Sequence, residues 1–366
     1  MADATKVKTK RLTLVMTHQC NFDCRYCPQK HEERYMPRET AVKAIDLLMG
    51  TADRMQISFY GGEPLLARSE IEYLVSYARE KAKKIPDFPL SFEITTNGLL
   101  LDEEFIRFAK ANRILLALSH DGLGQEEGRI DRGGRSTREI VDQKLEMLLS
   151  AFPETIIMMT VHPDYADRVS DSIRFFREKG VRSVSLVPAH GERVEWDDEH
   201  FELLRRELEK VESLYEEWNQ GEDIFRFIPF ENKIRNYIRG RDADSALCHF
   251  GGHKVMVDVD GKFYPCSHFI GRDGFCVGDL EAGPSIEKMA DLEKKRVEAE
   301  TCAECALRSR CKHTCACANH GHTGNMSLVS ALQCEYEKLT IELADRAAMK
   351  LLTPENPRFV ERMYKA

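Results

Sequence analysis

The sequence predicts a chain of the α/β class, in which a parallel sheet, open or barrel-like, is followed by a small cysteine-rich region. Residues 11–187 alternate six short β-rich runs with five helical patterns. Strands that alternate with helices form parallel sheets, because each helix carries the chain back to the start of the next strand. Twelve cysteines stand in two groups, three within residues 20–27 and nine within 248–334. The second group lies where long elements become scarce, so metal is expected to hold that region together.

The predicted elements alternate regularly in the first half of the chain. The β-rich runs are, in order, RLTLVM, QISFY, LSFEIT, ILLALS, TIIMMTV and SVSLVP. The helical patterns between them are TAVKAIDLLM, EIEYLVSYAREKAKK, DEEFIRFAKA, TREIVDQKLEMLLSA and YADRVSDSIRFFREKG. After Pro188 the pattern predicts a long charged helix near 197–219 and a shorter one near 230–239. The carboxyl ends of parallel strands meet at one edge, so the loops that follow them are available for chemistry.

The last third of the chain offers fewer regular elements. In HKVMVDVDGKFYPC the VDG segment predicts a hairpin turn between two short strands. An amphipathic pattern predicts a final helix over about 335–352, and no element is predicted for the tail LTPENPRFVERMYKA.

Composition and charge limit the cellular compartments and the classes of binding partner that we expect. The chain of 366 residues carries 53 basic and 61 acidic side chains, for a formal net charge of −8. This balance argues against a general nucleic-acid-binding surface. No run of about 20 apolar residues is present, and the N-terminal MADATKVKTK lacks the apolar core of a signal peptide. We therefore expect a cytoplasmic protein with no membrane partner, in which cysteines bind metal rather than form disulfides.

The first cysteine group has metal-ligand spacing. Cys20, Cys24 and Cys27 form C-x3-C-x2-C directly after the first predicted strand. Three thiolates on one loop can hold three irons of a [4Fe–4S] cluster and leave the fourth iron open for a bound ligand. A zinc site with a distant fourth ligand, or three unrelated buried thiols, are the alternatives.

With the aromatic Tyr26 before the third cysteine, this loop resembles that of the radical S-adenosylmethionine (SAM) superfamily. After the second strand, Gly61, Gly62, Glu63 and Pro64 resemble the GGEP motif of that superfamily, which approaches the methionyl amine of SAM. The glycines would let the backbone come close to the ligand. An isolated GGEP is usually a turn, but its offset from the cysteine loop makes the resemblance specific.

Two further strand ends extend the resemblance. Thr96 and Asn97 belong to a TNG segment of the kind that lies beside SAM, and Ser119 begins an S-x-D-G segment whose hydroxyl contacts the ribose or carboxylate. Arg132 would bind the SAM carboxylate, although the register leaves Arg129 or Arg135 open. Ordinary turn chemistry could explain any one of these segments, but not four in order at successive strand ends.

The resemblance implies a fold, a reaction and a partner. The fold would be a partial (β/α)6 TIM-like barrel of the radical SAM type. SAM would chelate the open iron, and one electron from a donor such as flavodoxin or ferredoxin would release a 5′-deoxyadenosyl radical that abstracts hydrogen from the substrate. The protein would orient the reactants and exclude water.

The downstream cysteines resemble the SPASM domain, which carries two auxiliary [4Fe–4S] clusters and would bring the total to three. The outer cluster would be ligated by Cys302, Cys305, Cys311 and Cys334. The inner cluster would be ligated by Cys248, Cys266 and Cys315, with Cys276, Cys317 or the substrate as its fourth ligand. A zinc ribbon is the alternative. The predicted division is a tail over 1–10, the barrel over 11–190, bridging helices over 191–246, the SPASM domain over 247–334, and a helix and tail over 335–366.

The resembling enzymes modify ribosomally made peptides, as sactipeptide and ranthipeptide maturases do. An open inner cluster suits a Cys-containing precursor peptide, so the expected product is a thioether between a Cys sulfur and a carbon of another residue. Carbon–carbon crosslinking or another oxidation is the alternative, and formylglycine formation is less favoured because Ser267 and His268 follow Cys266 in place of an Asp base. An iron–sulfur electron-transfer module is the non-enzyme alternative. The first predicted strand begins near residue 11, so we expect no leader-binding domain ahead of it.

Overall fold

The structure, a computed structural model, describes residues 11–191, 193–221, 223–240 and 254–365. These residues form two compact units, each drawn from several stretches of the chain. The first unit comprises 11–23, 28–118 and 254–296, and the second comprises 24–27, the described residues of 119–240, and 297–365. The linear domain boundaries expected from the sequence remain predictions.

The strands of the described chain are short and mostly buried. They are β1 (Arg11–Thr17), β2 (Phe22–Cys24), β3 (Met55–Gly61), β4 (Leu90–Thr96), β5 (Ile114–Ser119), β6 (Arg129–Asp131), β7 (Ile156–Val161), β8 (Ser183–Pro188), β9 (Arg226–Phe227), β10 (Lys254–Val257), β11 (Phe263–Tyr264), β12 (Gly278–Asp279) and β13 (Gly283–Pro284). All six predicted β-rich runs are strands, namely β1, β3, β4, β5, β7 and β8.

The helices include every helix that the sequence predicts. They are α1 (Arg38–Met49), α2 (Arg68–Ala82), α3 (Glu103–Ala111), α4 (Gln125–Gly128), α5 (Arg138–Ala151), α6 (Val169–Glu178), α7 (Asp198–Trp218), α8 (Ile228–Ile238), α9 (Ile286–Lys294), α10 (Glu300–Ala303), α11 (Ala316–Thr323), α12 (Ala331–Leu351) and α13 (Pro357–Tyr364). Among these residues no helix is both long and apolar enough to cross a bilayer.

The first unit is built on a parallel sheet in the order β10-β1-β3-β4-β5. Its core positions align across the strands, with Leu12 opposite Ile57, and Ile57 opposite Phe92. Each such side chain is fully buried, which contributes about 1.5–3 kcal/mol relative to exposure. The predicted hairpin is confirmed, since β10 pairs antiparallel with β11. At its turn Gly261 has φ +82°, and a Cβ there would lie 2.8 Å from Leu280.

The second unit carries parallel strands in the order β7-β8-β9, and α12 packs against α7 and α8. The hydroxyl of Tyr336 on α12 donates to the backbone oxygen of Leu186 in β8 at 3.1 Å. The tail, for which no element was predicted, forms α13. Pro357 starts this helix, and its buried Phe359 packs edge-on against Tyr215 with ring centroids 6.1 Å apart.

Candidate functional site

Gly61, the last residue of β3, and Gly62 are required by close contact with the end of β1 and the loop that follows it. The Gly62 N–H donates to the Thr17 carbonyl at 2.9 Å, and the Glu63 N–H donates to the Gln19 carbonyl at 2.9 Å. A Cβ at Gly62 would lie 2.3 Å from the Gln19 oxygen and 3.0 Å from the Cys20 Cβ. Gly61 has φ +146°, and its Cβ would lie 2.2 Å from the Thr17 oxygen. The GGEP segment therefore supports the backbone beside Cys20.

Gly62→Ala is expected to displace this loop, because the new methyl group meets backbone that cannot rotate away. We expect a loss of about 1–3 kcal/mol in the free energy of unfolding, together with weaker iron retention. Urea unfolding and iron analysis check this. Gly50→Ala is the control, since Gly50 has φ −68° and its added Cβ would come no closer than 3.5 Å to another atom. Equal effects of both variants would contradict the prediction.

Glu63 connects the ends of β3 and β4. Its Oε1 accepts from the Leu65 N–H at 3.0 Å and the Thr96 hydroxyl at 2.8 Å, and its Oε2 accepts from the Asn97 N–H at 2.8 Å. The side chain is buried, and burial raises the pKa of Glu63 to about 7 while the three donors oppose the rise. Its carboxylate thus holds the predicted GGEP and TNG segments together.

Asn97 reaches the first cysteine. Its Nδ2 donates to the Asn21 Oδ1 at 2.7 Å and lies 3.8 Å from the Cys20 Sγ, which also accepts from the Phe22 N–H at 3.4 Å. Donors aimed at sulfur stabilise a thiolate and tune the potential of a cluster that the thiolate binds. The surroundings of Cys20 therefore fit an iron ligand.

A contact that the sequence does not predict joins the ends of β1 and β10. His18 follows β1, and its Nε2 lies 2.5 Å from the Oδ1 of Asp258, in the turn after β10. The Asp258 side chain is buried. This pair ties the β10–β11 hairpin to the segment that leads into Cys20.

In the second unit, Asp121 is the centre of a buried polar cluster. Its carboxylate accepts a short hydrogen bond from the Tyr26 hydroxyl, a bond from Arg129 Nη2 at 3.1 Å, and one from the Thr160 N–H at 2.8 Å. The Arg129 guanidinium also lies 5.5 Å from the centre of the Tyr26 ring. Burial raises the pKa of Tyr26, and Arg129 opposes this rise. Tyr26 is therefore kept as a neutral donor.

The same cluster holds the arm that carries two of the predicted ligands. The Cys27 N–H donates to the Cys24 carbonyl at 3.0 Å, which closes a turn. Between them, the Arg25 N–H donates to the Gly128 carbonyl at 3.1 Å, and its side chain pairs with Asp164 at 3.0 Å. Residues 24–27 are thus anchored through Arg25 to Gly128 and Asp164 and through the Tyr26 hydroxyl to Asp121.

The three arginines considered for SAM differ in their surroundings. Arg129 is buried against Asp121, Arg132 is exposed in the turn after β6, and Arg135 is exposed and pairs with Asp131 at 2.8 Å. Ser119, at the end of β5, is half-buried. SAM contacts by Arg132 and Ser119 remain predictions. The resemblance leaves Arg129 open as a SAM ligand, but it does not predict the buried ion pair with Asp121.

The four cysteines expected around the outer cluster all belong to the second unit. The Cys305 N–H donates to the Cys302 carbonyl at 3.2 Å, and Cys334 lies in the first turn of α12. Burial raises the pKa of Cys302, and the charges of Cys334 and Cys305 add to the rise. Burial raises the pKa of Cys311 to about 12, and Cys334 contributes there as well. Cys334 is therefore an electrostatic neighbour of both Cys302 and Cys311, as shared ligation requires.

The inner-cluster cysteines are only partly described. Cys248 lies outside the described residues. Cys266 follows β11 in the first unit, where the Cys276 thiol lies 3.3 Å from the Gly278 carbonyl. In the second unit, the sulfurs of Cys315 and Cys317 lie 3.3 Å apart. Cys317 is thus beside a predicted inner ligand, and the choice of fourth ligand remains a prediction.

None of the eleven described cysteines forms a disulfide. Within the described ranges, no three His, Cys, Asp or Glu side chains are gathered as a site for a single metal ion.

Two stacked histidines lie in the second unit beyond the predicted site. His190 follows β8 and His322 lies on α11, with ring centroids 4.8 Å apart. Burial lowers the pKa of both, that of His322 to about 4, where the nearby His190 adds to the effect. The pair is therefore neutral near pH 7.

This pair predicts acid sensitivity of the fold. A histidine whose folded pKa is below its unfolded value stabilises the protein above the unfolded pKa, and this stability is lost as pH falls toward the folded pKa. For His322, with an unfolded pKa near 6.5, we expect about 1–2 kcal/mol to be lost between pH 7 and 5. Urea unfolding across this range should show a flatter profile for His322→Gln than for the wild type. Parallel profiles would contradict the prediction.

Comparison with known proteins identifies the first part of the chain. The model of the radical SAM superfamily matches residues 14–176. The chain carries a radical SAM domain. The expected fold class is confirmed, because the structure of anSMEcpe with bound AdoMet superposes on 97% of this chain and 99% of its own with a TM-score of 0.78, at 20% identity. SuiB of Streptococcus suis, bound to the precursor peptide SuiA, covers 90% of this chain and 76% of its own, with a TM-score of 0.64 at 16% identity.

Similarity to curated proteins extends beyond residues 14–176 of this chain. A cysteine-type anaerobic sulfatase-maturating enzyme of Clostridium perfringens is 24% identical over 324 residues, 81% of this chain and 85% of the relative. The radical SAM cyclopropyl synthase TigE of Paramaledivibacter caminithermalis is 22% identical over 369 residues, 92% of this chain and 74% of the relative.

Proposed function

We propose that this chain is a radical SAM peptide maturase that oxidises a Cys-containing precursor peptide and forms a thioether between the Cys sulfur and a carbon of another residue. The observation that supports a peptide substrate is how much of the chain is similar to structures solved with peptides. Structures solved with the Cp18Cys peptide and the SuiA precursor peptide cover 97% and 90% of this chain, far beyond residues 14–176.

The proposed SAM cluster is a [4Fe–4S] group on Cys20, Cys24 and Cys27. Together with SAM and one electron from flavodoxin or ferredoxin, such a cluster supplies hydrogen-atom abstraction from an unactivated C–H bond. The chain would support it with hydrogen-bond donors to the Cys20 sulfur and with the Tyr26–Asp121 contact behind the Cys24–Cys27 arm. Arg132 and Ser119 are proposed to bind SAM itself.

Two auxiliary [4Fe–4S] clusters are proposed in the C-terminal region. The outer one uses Cys302, Cys305, Cys311 and Cys334, of which Cys334 is an electrostatic neighbour of both Cys302 and Cys311. The inner one uses Cys248, Cys266 and Cys315, and its fourth position is Cys276, Cys317 or the substrate thiolate. A thiolate bound at that position would be held near the carbon it attacks, which favours thioether formation.

The test is anaerobic reconstitution followed by reduction in the presence of SAM and a Cys-containing peptide from the gene neighbourhood. We expect 5′-deoxyadenosine and a crosslinked peptide that has lost two hydrogen atoms and keeps its sulfur. A Cys20→Ala/Cys24→Ala/Cys27→Ala triple variant is the control and should form neither. Absence of 5′-deoxyadenosine from a protein with full iron content would reject the proposal and favour an electron-transfer module.

Formylglycine formation is the second candidate, favoured by the similarity to the sulfatase-maturating enzyme over 81% of this chain. The residues after Cys266 are Ser267 and His268, so an Asp base is lacking there. The two products differ chemically. Formylglycine from Cys loses sulfur and reacts as an aldehyde, whereas the thioether keeps sulfur and does not. If a Cys-to-Ser peptide is still crosslinked, the bond is not a thioether, which favours the carbon–carbon alternative.

A further inference from the structure

A buried ion pair in the second unit lies between α8 and α12. The Lys233 ammonium on α8 donates a short hydrogen bond to the Glu337 Oε2 on α12. Lys233 is 3% exposed and Glu337 is 2% exposed. Removing two charges from water costs several kcal/mol for each ion, and a pair of apolar residues often stabilises a core equally well. Stability alone therefore does not account for the pair.

The remaining bonds of the pair converge on one cysteine. The Lys233 Nζ donates to the Arg310 carbonyl at 2.8 Å, and the Lys312 N–H donates to the Glu337 Oε2 at 2.7 Å. These are the two peptide groups on either side of Cys311. The pair therefore holds the backbone of Cys311 from both directions.

The neighbouring side chain strengthens this hold. Arg310 makes a two-pronged contact with the Asp345 carboxylate at 2.8 and 2.5 Å. Asp345 lies two turns beyond Glu337 on α12, so the loop before Cys311 is tied to the same helix at two levels. Cys334 is also on α12, in its first turn. One helix thus carries Cys334 and the carboxylates that position Cys311.

The two charges act on the Cys311 thiol in opposite senses. The Lys233 Nζ lies 2.8 Å from the carbonyl that precedes Cys311, and the Glu337 Oε2 lies 2.7 Å from the N–H that follows it, so one positive and one negative charge flank this residue. In a buried, low-dielectric site a nearby charge changes the energy of any charge that is added at the sulfur. A cluster gains one negative charge on reduction, so Lys233 would favour the reduced state and Glu337 would oppose it.

We propose that Lys233 and Glu337 are a positioning pair that holds Cys311 as a ligand and sets the reduction potential of the outer auxiliary cluster by opposed charges. This rests on the proposed function, specifically on ligation by Cys302, Cys305, Cys311 and Cys334. The two residues act through Cys311 and its peptide groups and touch no reacting atom.

The test uses the reconstituted full-length enzyme and an EPR-monitored redox titration of the outer cluster. Lys233→Met removes the positive charge and should shift the potential to more negative values, whereas Glu337→Gln should shift it to more positive values. The double variant should return close to the wild type, and Lys233→Arg should stay near it. General loosening of the site would move both single variants in the same direction, so the opposite signs distinguish an electrostatic role from a structural one.

A matched control lies on the same helix. Lys350 on α12 pairs with Glu216 at 2.7 Å, and it is ~20 Å along the axis from Glu337. Lys350→Met should leave the potential unchanged. Shifts of the same sign in the two single variants, or no shift in either, would overturn the inference. Should Lys233→Met fail to fold, Glu337→Gln, which keeps the side-chain shape, decides alone through its required positive shift.

The failure of the proposed function would look different. A wild-type protein with full SAM-cluster iron but no outer cluster, or one whose outer cluster survives Cys311→Ala unchanged, would reject the ligand assignment. A wild-type outer cluster whose potential ignores both charges would reject only the role of the pair.

Discussion

Asp121→Asn is expected to destabilise the protein by about 3–5 kcal/mol, because it leaves the Arg129 charge buried without a counter-charge. The shape of the side chain is kept, so packing changes little. The amide NH2 group of the new side chain would also face the Thr160 N–H or the Arg129 guanidinium. From these donors the carboxylate now accepts hydrogen bonds at 2.8 and 3.1 Å. Urea unfolding of the purified protein measures the loss in free energy.

The same variant should weaken the proposed SAM cluster. Tyr26 lies between Cys24 and Cys27, and its hydroxyl is anchored by Asp121. Residues that hold metal ligands in place typically contribute about 10–100-fold to metal affinity or activity. We expect a loss of this size in 5′-deoxyadenosine formation under conditions where the variant is still folded.

A nearby surface pair provides the control. Asp131 and Arg135 form an ion pair at 2.8 Å in which the Arg135 side chain is 83% exposed. Asp131→Asn should change the free energy of unfolding by no more than about 1 kcal/mol. If Asp121→Asn behaves like Asp131→Asn, the buried cluster does not anchor the arm as described.

The fold was predictable because its signals are local and repeated. The six β-rich runs alternate with helical patterns that have a clear apolar stripe, and each of these became the predicted element. Motif spacing likewise placed Glu63 and Asn97 at successive strand ends, where the structure joins them by a hydrogen bond. Strand ends meet in space whatever the details of side-chain packing.

The partners of these residues were not predictable in the same way. Lys233 and Glu337 are separated by 104 positions, and each looks like an ordinary charge on a helix. Only the packing of α8 against α12 makes them a pair. The helix α13 was missed for a related reason, since its short pattern around Phe359 acquires an apolar partner only when Tyr215 is brought to it.

Glu63→Ala is expected to have an effect of similar size on the other half of the proposed SAM site. It removes the acceptor of the Leu65 N–H, the Thr96 hydroxyl and the Asn97 N–H, all in a buried setting. Each buried donor left without a partner costs about 1–3 kcal/mol, so a total loss of about 3 kcal/mol or more is expected. Glu63→Gln keeps one acceptor oxygen and should lose less.

We expect the Glu63 substitutions to affect the proposed SAM cluster by releasing Asn97. When its N–H is no longer held by Glu63, its amide should no longer be directed toward the Cys20 sulfur, 3.8 Å away. The loss of a donor makes a thiolate cluster harder to reduce. We therefore expect 5′-deoxyadenosine formation to fall in the order wild type, Glu63→Gln, Glu63→Ala. A graded loss of stability with unchanged 5′-deoxyadenosine formation by the folded variants would show that Glu63 supports the fold alone and leaves the cluster surroundings untouched.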